Sequence, residues 1–303
     1  MEIELYKWSG AGNLFVIADG RDADVEELRI PDAISRICRQ YGTDGLMILN
    51  GPKLPGTAFD MEFYNPDGSG GMMCGNGGRC IVAFADMIGC GDGAAPTPHC
   101  YIFTAPDGLH DAEILSRPAD PSSPAAGERW TVRLHMIDAA RPREVLGGWF
   151  INTGTRHFVK FVPDVEALDI EAEAKPLRWH PEFAPEGTNV NFVQPLTDGS
   201  LKVRTFEKGV EGETAACGTG ITASALVAYH TGLTSVLQNA ASSSAQRAPD
   251  TRPDASSPSA TAAAQKPVRI VLHARKDSLS VDFVPGAESF TSVYLTGPAE
   301  LLR

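Results

Sequence analysis

One short phrase occurs twice in this chain, as Met73-Cys74-Gly75-Asn76-Gly77 and again as Ala216-Cys217-Gly218-Thr219-Gly220. Each copy follows a strand-like stretch and precedes a small, apolar, helix-like stretch. The two cysteines are 143 residues apart (217 − 74), and the same offset aligns Phe15-Val16 with Phe158-Val159. A period of this length is far too long for a solenoid. The sequence therefore predicts an internal duplication that gives each half one cysteine.

The duplication predicts two domains, residues 1–127 and residues 128–303, each with one of these cysteines. The last few residues are expected to pack back on the first half. The segment after each phrase is apolar on nearly all sides, which is typical of a buried helix. Asn76 and Thr219 are of the residue types that cap helix N-termini, and we expect them to do so. An amphipathic pattern also predicts a helix over residues 31–41.

The composition bounds the class of protein. At 303 residues, with 43% hydrophobic and 21% charged side chains, the chain has the composition of a globular protein with room for two cores. A net charge of −12 argues against binding to nucleic acid or to an anionic membrane surface. The N-terminal residues read as a strand rather than a signal peptide, and no apolar run reaches the ~18 residues of a membrane helix. We therefore expect a cytoplasmic protein. No CxxC pair occurs, so a structural zinc site has little support.

Residues 239–266 differ from the rest of the chain in composition. They include no aromatic residue and no Val, Ile, Leu or Met. Such a segment buries too little apolar surface to offset the entropy that it loses on ordering. The composition therefore predicts a disordered insertion in the second half.

Two glycine-rich turns are candidate ligand-binding elements. The turn Ser9-Gly10-Ala11-Gly12-Asn13 lacks the third glycine and the following helix of a dinucleotide fingerprint. It is either a plain connection between strands or a device that presents Asn13 to a ligand. Residues 65–71 lack the Gly-Lys-Ser/Thr of a phosphate loop. Their remaining use is to bring backbone N–H groups and a helix N-terminus towards some other anion.

The paired cysteines point to a particular chemistry. A cysteine just before a helix faces the positive end of the helix dipole, which favours the thiolate. This effect is expected to lower the thiol pKa by about one to two units from about 8.5. A single nucleophile with His157 as its base leaves the second, equivalent cysteine unexplained. Two thiols across a cleft suit inversion of a stereocentre, because one removes a proton and the other returns one to the opposite face. The alternative is that both are small buried residues.

With these residues in view, the chain resembles the diaminopimelate epimerases, a family of cofactor-independent amino-acid epimerases that use two thiols. The matching stretches cover nearly the whole chain in the family's order. They are Ser9–Phe15, Phe63–Gly68, Met73–Cys80, Asn189–Phe192, Glu207–Gly209, Gly212–Thr214, Ala216–Gly220 and Leu295–Ala299. The CGNG and CGTG phrases together are specific.

The resemblance implies an α+β fold of two pseudo-symmetric domains, each a mostly antiparallel, barrel-like sheet around a central buried helix. It implies that Cys74 and Cys217 are catalytic, with His157 and Glu207 beside the thiols. The substrate-binding residues that it implies are Asn13, Asn65, Gly75, Asn76, Asn189, Glu207, Lys208, Gly218 and Thr219. It further implies a small amino-acid substrate, a homodimer, and activity without a cofactor or a metal.

Taken alone, some of these residues have plainer interpretations. His157 would be a structural histidine, Glu207 and Lys208 a surface pair, and Asn65 and Asn189 turn residues.

The chain also departs from the common family pattern. Gly45 replaces a glutamine, Thr155-Arg156-His157 replaces Asn-Pro-His, and Lys208 replaces an arginine with loss of bidentate geometry. Val210-Glu211 lengthens the loop before the second cysteine by one residue. These departures concern substrate preference rather than the chemistry.

The main functional hypothesis is epimerisation of LL-2,6-diaminopimelate to the meso form, for the synthesis of lysine and peptidoglycan precursors. One alternative is a racemase or epimerase of another amino acid on the same fold. The other is a non-catalytic amino-acid-binding protein, which the paired cysteines disfavour because binding does not need two thiols. Contacts to the distal end of the substrate distinguish the first two hypotheses.

Overall fold

The structure, a computed structural model, describes residues 3–71, 73–90, 99–233 and 266–302. The first strands are β1 (Leu5–Gly10), β2 (Asn13–Asp19), β3 (Gly45–Asn50), β4 (Phe59–Tyr64), β5 (Cys100–Ala105), β6 (Gly108–Ser116) and β7 (Trp130–His135). The later strands are β8 (Ala139–Ala140), β9 (Arg143–Val145), β10 (Gly148–Asn152), β11 (Arg156–Phe161), β12 (Asn189–Pro195), β13 (Leu201–Glu207), β14 (Gly212–Glu213), β15 (Val268–His273), β16 (Ser278–Pro285) and β17 (Ser289–Leu302). The α-helices are α1 (Pro31–Tyr41), α2 (Gly75–Met87), α3 (Ile170–Arg178) and α4 (Gly218–His230).

Eight strands close the first barrel. They follow the order β1 to β7 and then β17, which pairs with both β7 and β1. Only the β2–β3 and β4–β5 pairs are parallel. Parallel neighbours need a crossover connection, and α1 and α2 are the helices that connect these two pairs. One of the two, α2, makes its crossover through the inside of the barrel.

The second barrel repeats this plan. Strands β10, β11, β12, β13, β15, β16 and β17 pair in that order, and β8 and β9 join β17 to β10. The parallel pairs are again two, β11–β12 and β13–β15, and they are bridged by α3 and α4. The fold is therefore α+β, with two pseudo-symmetric, mostly antiparallel barrels, which confirms the predicted fold class.

Each barrel has at its centre the helix that follows one copy of the repeated cysteine phrase. All residues of α2 are buried, and most residues of α4 are buried as well. Their apolar side chains face strands on every side, so each helix needs a surrounding barrel to cover it. Phe84 of α2, for example, packs edge-on against the fully buried Trp8 of β1.

The outer helices pack on the other face of the sheets. Helix α1 has the predicted bounds and buries Ile34 and Ile37 against the outside of the first barrel. Helix α3 buries Ile170 and Ala174 in the same way on the second barrel. The outer helices add a small core to each half without contributing to the central cleft.

The predicted division into residues 1–127 and 128–303 stays a prediction. Strand pairing links the two parts closely, because β7 pairs with β6 and Glu300 at the end of β17 pairs with Ser9. The predicted insertion at 239–266 lies outside the described residues except for Lys266. Among the helices in the described ranges, none is both long and apolar enough to cross a bilayer.

Candidate active site

The N-termini of the two central helices meet between the barrels. Cys74 is the residue before the first turn of α2, and Cys217 holds the same place at α4. A Cβ atom added to Gly218 would lie 3.3 Å from the Cα atom of Gly75, and Leu295 packs against both glycines. The absence of side chains at these two glycines lets the helix ends approach. The two predicted catalytic cysteines therefore flank one shared space.

The predicted N-caps were wrong. Both helices begin one residue earlier than Asn76 and Thr219, so that Cys74 and Cys217 are the capping residues, and neither cysteine caps through its side chain. The side chains of Asn76 and Thr219 make other contacts instead. The first backbone N–H groups of both helices consequently keep their capacity to bind an anion.

Asn76 links the two halves at the site. Its amide nitrogen donates to Asn13 Oδ1 and, at 2.9 Å, to the carbonyl of Ala216, the residue before the second cysteine. Its oxygen accepts from Arg79 Nη2 at 3.0 Å. Asn13 in turn donates to Asp44 Oδ2 at 3.2 Å. The side-chain amide of Asn76 is therefore held through both its nitrogen and its oxygen, and it binds Asn13 beside the start of α2.

The turn between β1 and β2 places Asn13 here. Ala11 and Gly12 have positive φ angles of 57° and 97°. A Cβ atom on Gly10 would lie 2.6 Å from the carbonyl oxygen of Asn76, and one on Gly12 would lie 2.9 Å from Cβ of Ala215. The turn therefore fits tightly between the start of α2 and the segment that leads to α4.

Burial raises the pKa of both thiols. For Cys74, the backbone N–H of Gly77 opposes this rise and the charge of Glu207 adds to it. For Cys217, burial and then Glu207 raise the pKa well above its usual value, against a lowering contribution from Thr219. The prediction that the helix dipoles lower the thiol pKa values is therefore wrong, because the net shift of both is upward. The backbone donors that it relied on are present, but desolvation outweighs them.

Glu207 lies at the end of β13 beside the second thiol. Burial raises the pKa of its carboxyl group, while the side chains of Thr214 and Cys217 lower it. The raised pKa favours the protonated carboxyl group, and the ionised form can pair with a cation that enters the site. The prediction that Glu207 lies beside a thiol agrees with this placement.

His157 reaches the second thiol through a hydroxyl group. The ring is fully buried, and its Nε2 lies 2.9 Å from Oγ1 of both Thr155 and Thr219. Thr219 Oγ1 lies 3.4 Å from the sulfur of Cys217. The other ring nitrogen, Nδ1, lies 3.0 Å from Asn191 Nδ2. His157 is thus connected to Cys217 by one intervening side chain.

Replacing His157 with glutamine is expected to reduce the acid sensitivity of the fold. Burial lowers the pKa of His157 from its ordinary 6.5 to about 3. Between these values the unfolded chain binds a proton that the native state does not, so stability falls as the pH falls. The native protein should lose about 1.4 kcal/mol more per pH unit than His157→Gln over this interval. Urea titrations at several pH values measure the two slopes, and equal slopes would show that His157 is charged in the native state.

Asn189 and Lys208 are joined to each other. Asn189 is buried, and its Oδ1 accepts from the backbone N–H of Lys208 at 2.7 Å while its Nδ2 donates to the carbonyl of Arg156 at 3.1 Å. The Lys208 side chain is exposed. Asn65 instead donates to Ser69 within its own turn, and among the described residues no hydrogen bond connects it to the cysteines.

The structure brings most of the predicted site residues into one group. Its members are Asn13, Cys74, Gly75, Asn76, His157, Asn189, Glu207, Cys217, Gly218 and Thr219. Asn65 is outside this network, and Lys208 joins it through its backbone alone. The catalytic and binding roles of these residues stay predictions. The described ranges contain no cluster of three or more His, Cys, Asp or Glu that could hold a metal.

Sequence reasoning missed the role of Arg79. This side chain is fully buried in α2 and donates to the carbonyl of Gly75 at 3.1 Å and to Asn76 Oδ1 at 3.0 Å. Burial lowers the pKa of its guanidinium, and no carboxylate within the described residues forms an ion pair with it. The signal was a single cation in a helix whose only other charged residue is Asp86, because a buried charge is rare.

Asn191 was missed for a different reason. It follows Asn189 by two positions on β12, and residues two apart on a strand point to the same face. The polar character of both residues on a buried face was a signal of a polar network. Asn191 is fully buried and contacts His157 directly.

Comparisons with solved structures agree with this architecture. A phenazine biosynthesis protein of the PhzF family from Bacillus anthracis superposes with a TM-score of 0.62 at 11% identity, covering 100% of this chain and 98% of that one. A probable proline racemase from Agrobacterium radiobacter K84 superposes with a TM-score of 0.58 at 15% identity, covering 99% and 91%. At these identities the similarity shows the fold alone.

Sequence comparisons reach further. The diaminopimelate epimerase of Aquifex aeolicus is 40% identical over 248 residues, which cover 76% of this chain and 83% of the relative. That of Flavobacterium psychrophilum is 30% identical over 303 residues, covering 99% and 98%. The family model described as diaminopimelate epimerase matches residues 5–94 and 149–243, which include both cysteine phrases. On these grounds the chain belongs to the diaminopimelate epimerase family.

Proposed function

We propose that this chain epimerises LL-2,6-diaminopimelate to the meso isomer, with Cys74 and Cys217 as the two proton-transferring groups. The observation that carries the proposal is the meeting of two helix N-termini, each preceded by a cysteine, across Gly75 and Gly218. An α-carbon held between these thiols has one sulfur on each face. Membership of the family supports the substrate, and the product would serve lysine and peptidoglycan-precursor synthesis.

The substrate's α-carboxylate is expected to bind at the two helix N-termini. The first N–H groups of α2 and α4 have no intrahelical acceptor and point out of the helix ends. Removal of the α-proton places further negative charge on this carboxylate, and donors already in position stabilise that charge. The buried guanidinium of Arg79 lies directly behind Gly75 and Asn76 and adds a fixed positive charge at the same end.

The proton transfers balance over one turnover. One thiolate removes the α-proton, the opposite thiol gives its proton to the other face of the carbon, and the two sulfurs exchange protonation states. Burial raises the pKa of both thiols, so the enzyme needs a group that accepts a thiol proton when substrate binds. Glu207 beside Cys217 is placed for this task, since its own pKa is raised as well.

Proton exchange in heavy water tests the proposal. The protein is incubated with LL-diaminopimelate in deuterated water, and NMR follows the α-protons. The expected product is the meso isomer with deuterium at one α-carbon. Recovery of substrate with no deuteration and no meso product would contradict it. Rapid racemisation of lysine or alanine alone would support the alternative of a racemase with another substrate. Binding of diaminopimelate without any exchange would support the alternative of a binding protein.

Mild oxidation is expected to inactivate the enzyme reversibly. The two cysteines flank one space in which Gly75 and Gly218 approach closely, so their sulfurs can form a disulfide when the space narrows. Diamide should abolish epimerase activity and dithiothreitol should restore it. Mass spectrometry should find a peptide that links Cys74 to Cys217. Intact activity after diamide, or a loss that reductant cannot reverse, would show that the thiols are farther apart.

We also propose a cytoplasmic homodimer that works without pyridoxal phosphate or metal. The net charge of −12 and the resemblance to the family support these points. Light scattering after size exclusion measures the oligomeric state. Full activity after dialysis against a chelator, with no visible absorbance from a bound cofactor, is the expected result for the chemistry.

A further inference from the structure

The orientation of the Asn191 side chain is fixed by its neighbours. One atom of its amide lies 3.1 Å from the carbonyl oxygen of Phe158, which can only accept, so this atom is the nitrogen. The other atom, Oδ1, accepts from the hydroxyl of Thr205 at 2.9 Å. Asn191 and Thr205 are both buried, so no solvent competes for these bonds.

The second hydrogen of this amide determines the state of His157. Asn191 Nδ2 lies 3.0 Å from His157 Nδ1, and an amide nitrogen donates but does not accept. Nδ1 must therefore carry no proton. A neutral imidazole has one proton, which leaves it on Nε2, the nitrogen that faces Thr155 and Thr219 at 2.9 Å.

The proton on Nε2 sets the direction of the hydroxyl groups. Because Nε2–H donates to Thr219 directly, or to Thr155 and through it to Thr219, the oxygen of Thr219 already accepts a bond. Its own hydrogen is then free to point at the sulfur of Cys217, 3.4 Å away. With the opposite tautomer, Nε2 would be an acceptor and would compete with Cys217 for that hydrogen.

The described residues of the first half form no equivalent of this network. Asn191 lies over Gly220, where an added Cβ atom would overlap its oxygen, whereas the apolar Met47 lies over the matching Gly77 with its sulfur 3.1 Å from such an atom. At the 143-residue offset, Leu14 takes the place of His157. The polar chain has therefore been built around only one of the two thiols of the duplicated site.

We infer that Asn191 is a positioning residue, which holds His157 in the Nε2–H tautomer and so makes Thr219 a hydrogen-bond donor to Cys217. The tautomer itself is independent of the substrate. The consequence for proton transfer by Cys217 rests on the proposed function, because a donor to the sulfur stabilises the thiolate that removes an α-proton. For Cys74 the lowering contributions come from the backbone N–H groups of Gly77 and Asn76 and from the charge of Arg79, with no side-chain hydroxyl among them, so the two thiols are prepared for the same reaction in different ways.

Nitrogen NMR of histidine-labelled protein tests the tautomer without substrate. The spectrum of the unsubstituted protein should show a protonated Nε2 and an unprotonated Nδ1 for His157, assigned by their loss in His157→Gln. In Asn191→Asp the carboxylate can only accept, so the proton should move to Nδ1. With this assignment from His157→Gln, a protonated Nδ1 of His157 in the unsubstituted protein would overturn the inference even if the Asn191 variants failed to fold.

Thr205→Val is the matched control. It removes a buried bond to the same amide but leaves the carbonyl of Phe158 to orient Asn191, so the tautomer of His157 should not change. Asn191→Met introduces the residue type that lies over Gly77 in the first half. Without the amide donor, neither ring nitrogen of His157 should be fixed as the protonated one. An inverted tautomer in Thr205→Val would show that any damage to this region moves the proton.

The rate of epimerisation tests the second step. A lost hydrogen bond to a charged sulfur should lower kcat by about 10- to 100-fold in Asn191→Asp, with kcat in Thr205→Val close to that of the unsubstituted protein. An inverted tautomer with unchanged kcat would overturn the link to Cys217. Absence of epimerase activity in the unsubstituted protein would refute the proposed function instead, and the NMR result would still decide the tautomer.

Discussion

Cys74→Ala and Cys217→Ala are each expected to abolish epimerisation of LL-diaminopimelate, with a loss of about ten-thousand-fold or more in kcat. A positioned acid or base contributes up to about this factor, and the reaction needs both, one on each face of the α-carbon. The two cysteines hold equivalent places at the meeting helix ends, and no other thiol shares this position among the described residues. Conversion of the LL to the meso isomer, followed by chiral chromatography, measures the loss.

Cys80→Ala is the matched control for this pair. Cys80 is also fully buried and belongs to the same helix as Cys74, but it lies inside the barrel, away from the helix N-terminus. It should cost some stability and leave kcat near that of the unsubstituted protein. Either site variant should retain at most a slow exchange of the α-hydrogen at one face, without net inversion. Near-normal turnover in Cys74→Ala or in Cys217→Ala would rule out the two-thiol mechanism.

Lys208→Met is expected to lower kcat/KM for diaminopimelate by about 10- to 100-fold, which corresponds to a lost charged hydrogen bond of about 1.5–3 kcal/mol. The side chain of Lys208 is exposed and forms no ion pair within the described part of the chain, so it is available to a carboxylate. Its backbone is held by Asn189, which fixes the start of the loop. Because the duplicated phrases are expected to serve the reacting carbon, we expect this cation to serve the far end of the substrate.

The same reasoning predicts strong preference for diaminopimelate over lysine or alanine. At the 143-residue offset, Tyr64 corresponds to Glu207 and Asn65 to Lys208, so the charged groups occur in one half only. A site that pairs a distal charged head rejects ligands without it, because its polar groups are left unpaired. Lys202→Met is the control. Lys202 lies on β13, which ends just before Lys208, and it is paired with Glu166 instead, so its replacement should change kcat/KM little. Comparable kcat/KM values for lysine or alanine would favour a general racemase.

The sequence predicted the main elements of the fold because these elements follow from local patterns, some of which occur twice. The doubled phrase identified two central helices, and the spacing of Ile34 and Ile37 predicted the bounds of α1. The last few residues were expected to pack back on the first half, but the strand pairing by which β17 closes both barrels could not be predicted in this way. It depends on pairing between residues such as Ser9 and Glu300 that no local pattern relates.

The site was predicted best where residue type alone decides the chemistry. The helix ends that follow Cys74 and Cys217 approach each other at Gly75 and Gly218, whereas the predicted net direction of the thiol pKa shifts was wrong, because desolvation depends on what the barrels enclose. Asn76 was expected to cap α2 because of its residue type. In the structure its amide nitrogen donates to Asn13 and to the carbonyl of Ala216, which are both distant in sequence. Tertiary contacts of this kind override local preference.

The shared strand β17 makes the two barrels one mechanical and cooperative unit. The N-terminal part of β17 pairs with β16 and its C-terminal end pairs with β1. A single strand of 14 residues therefore belongs to both barrels. During synthesis the first barrel keeps an open edge between β1 and β7 until residues 289–302 emerge, and both barrels are then completed by the same event. Unfolding should accordingly occur in one transition rather than two. Narrowing of the space between the cysteines must likewise proceed by flexing a continuous strand, since the halves cannot swing freely about a linker.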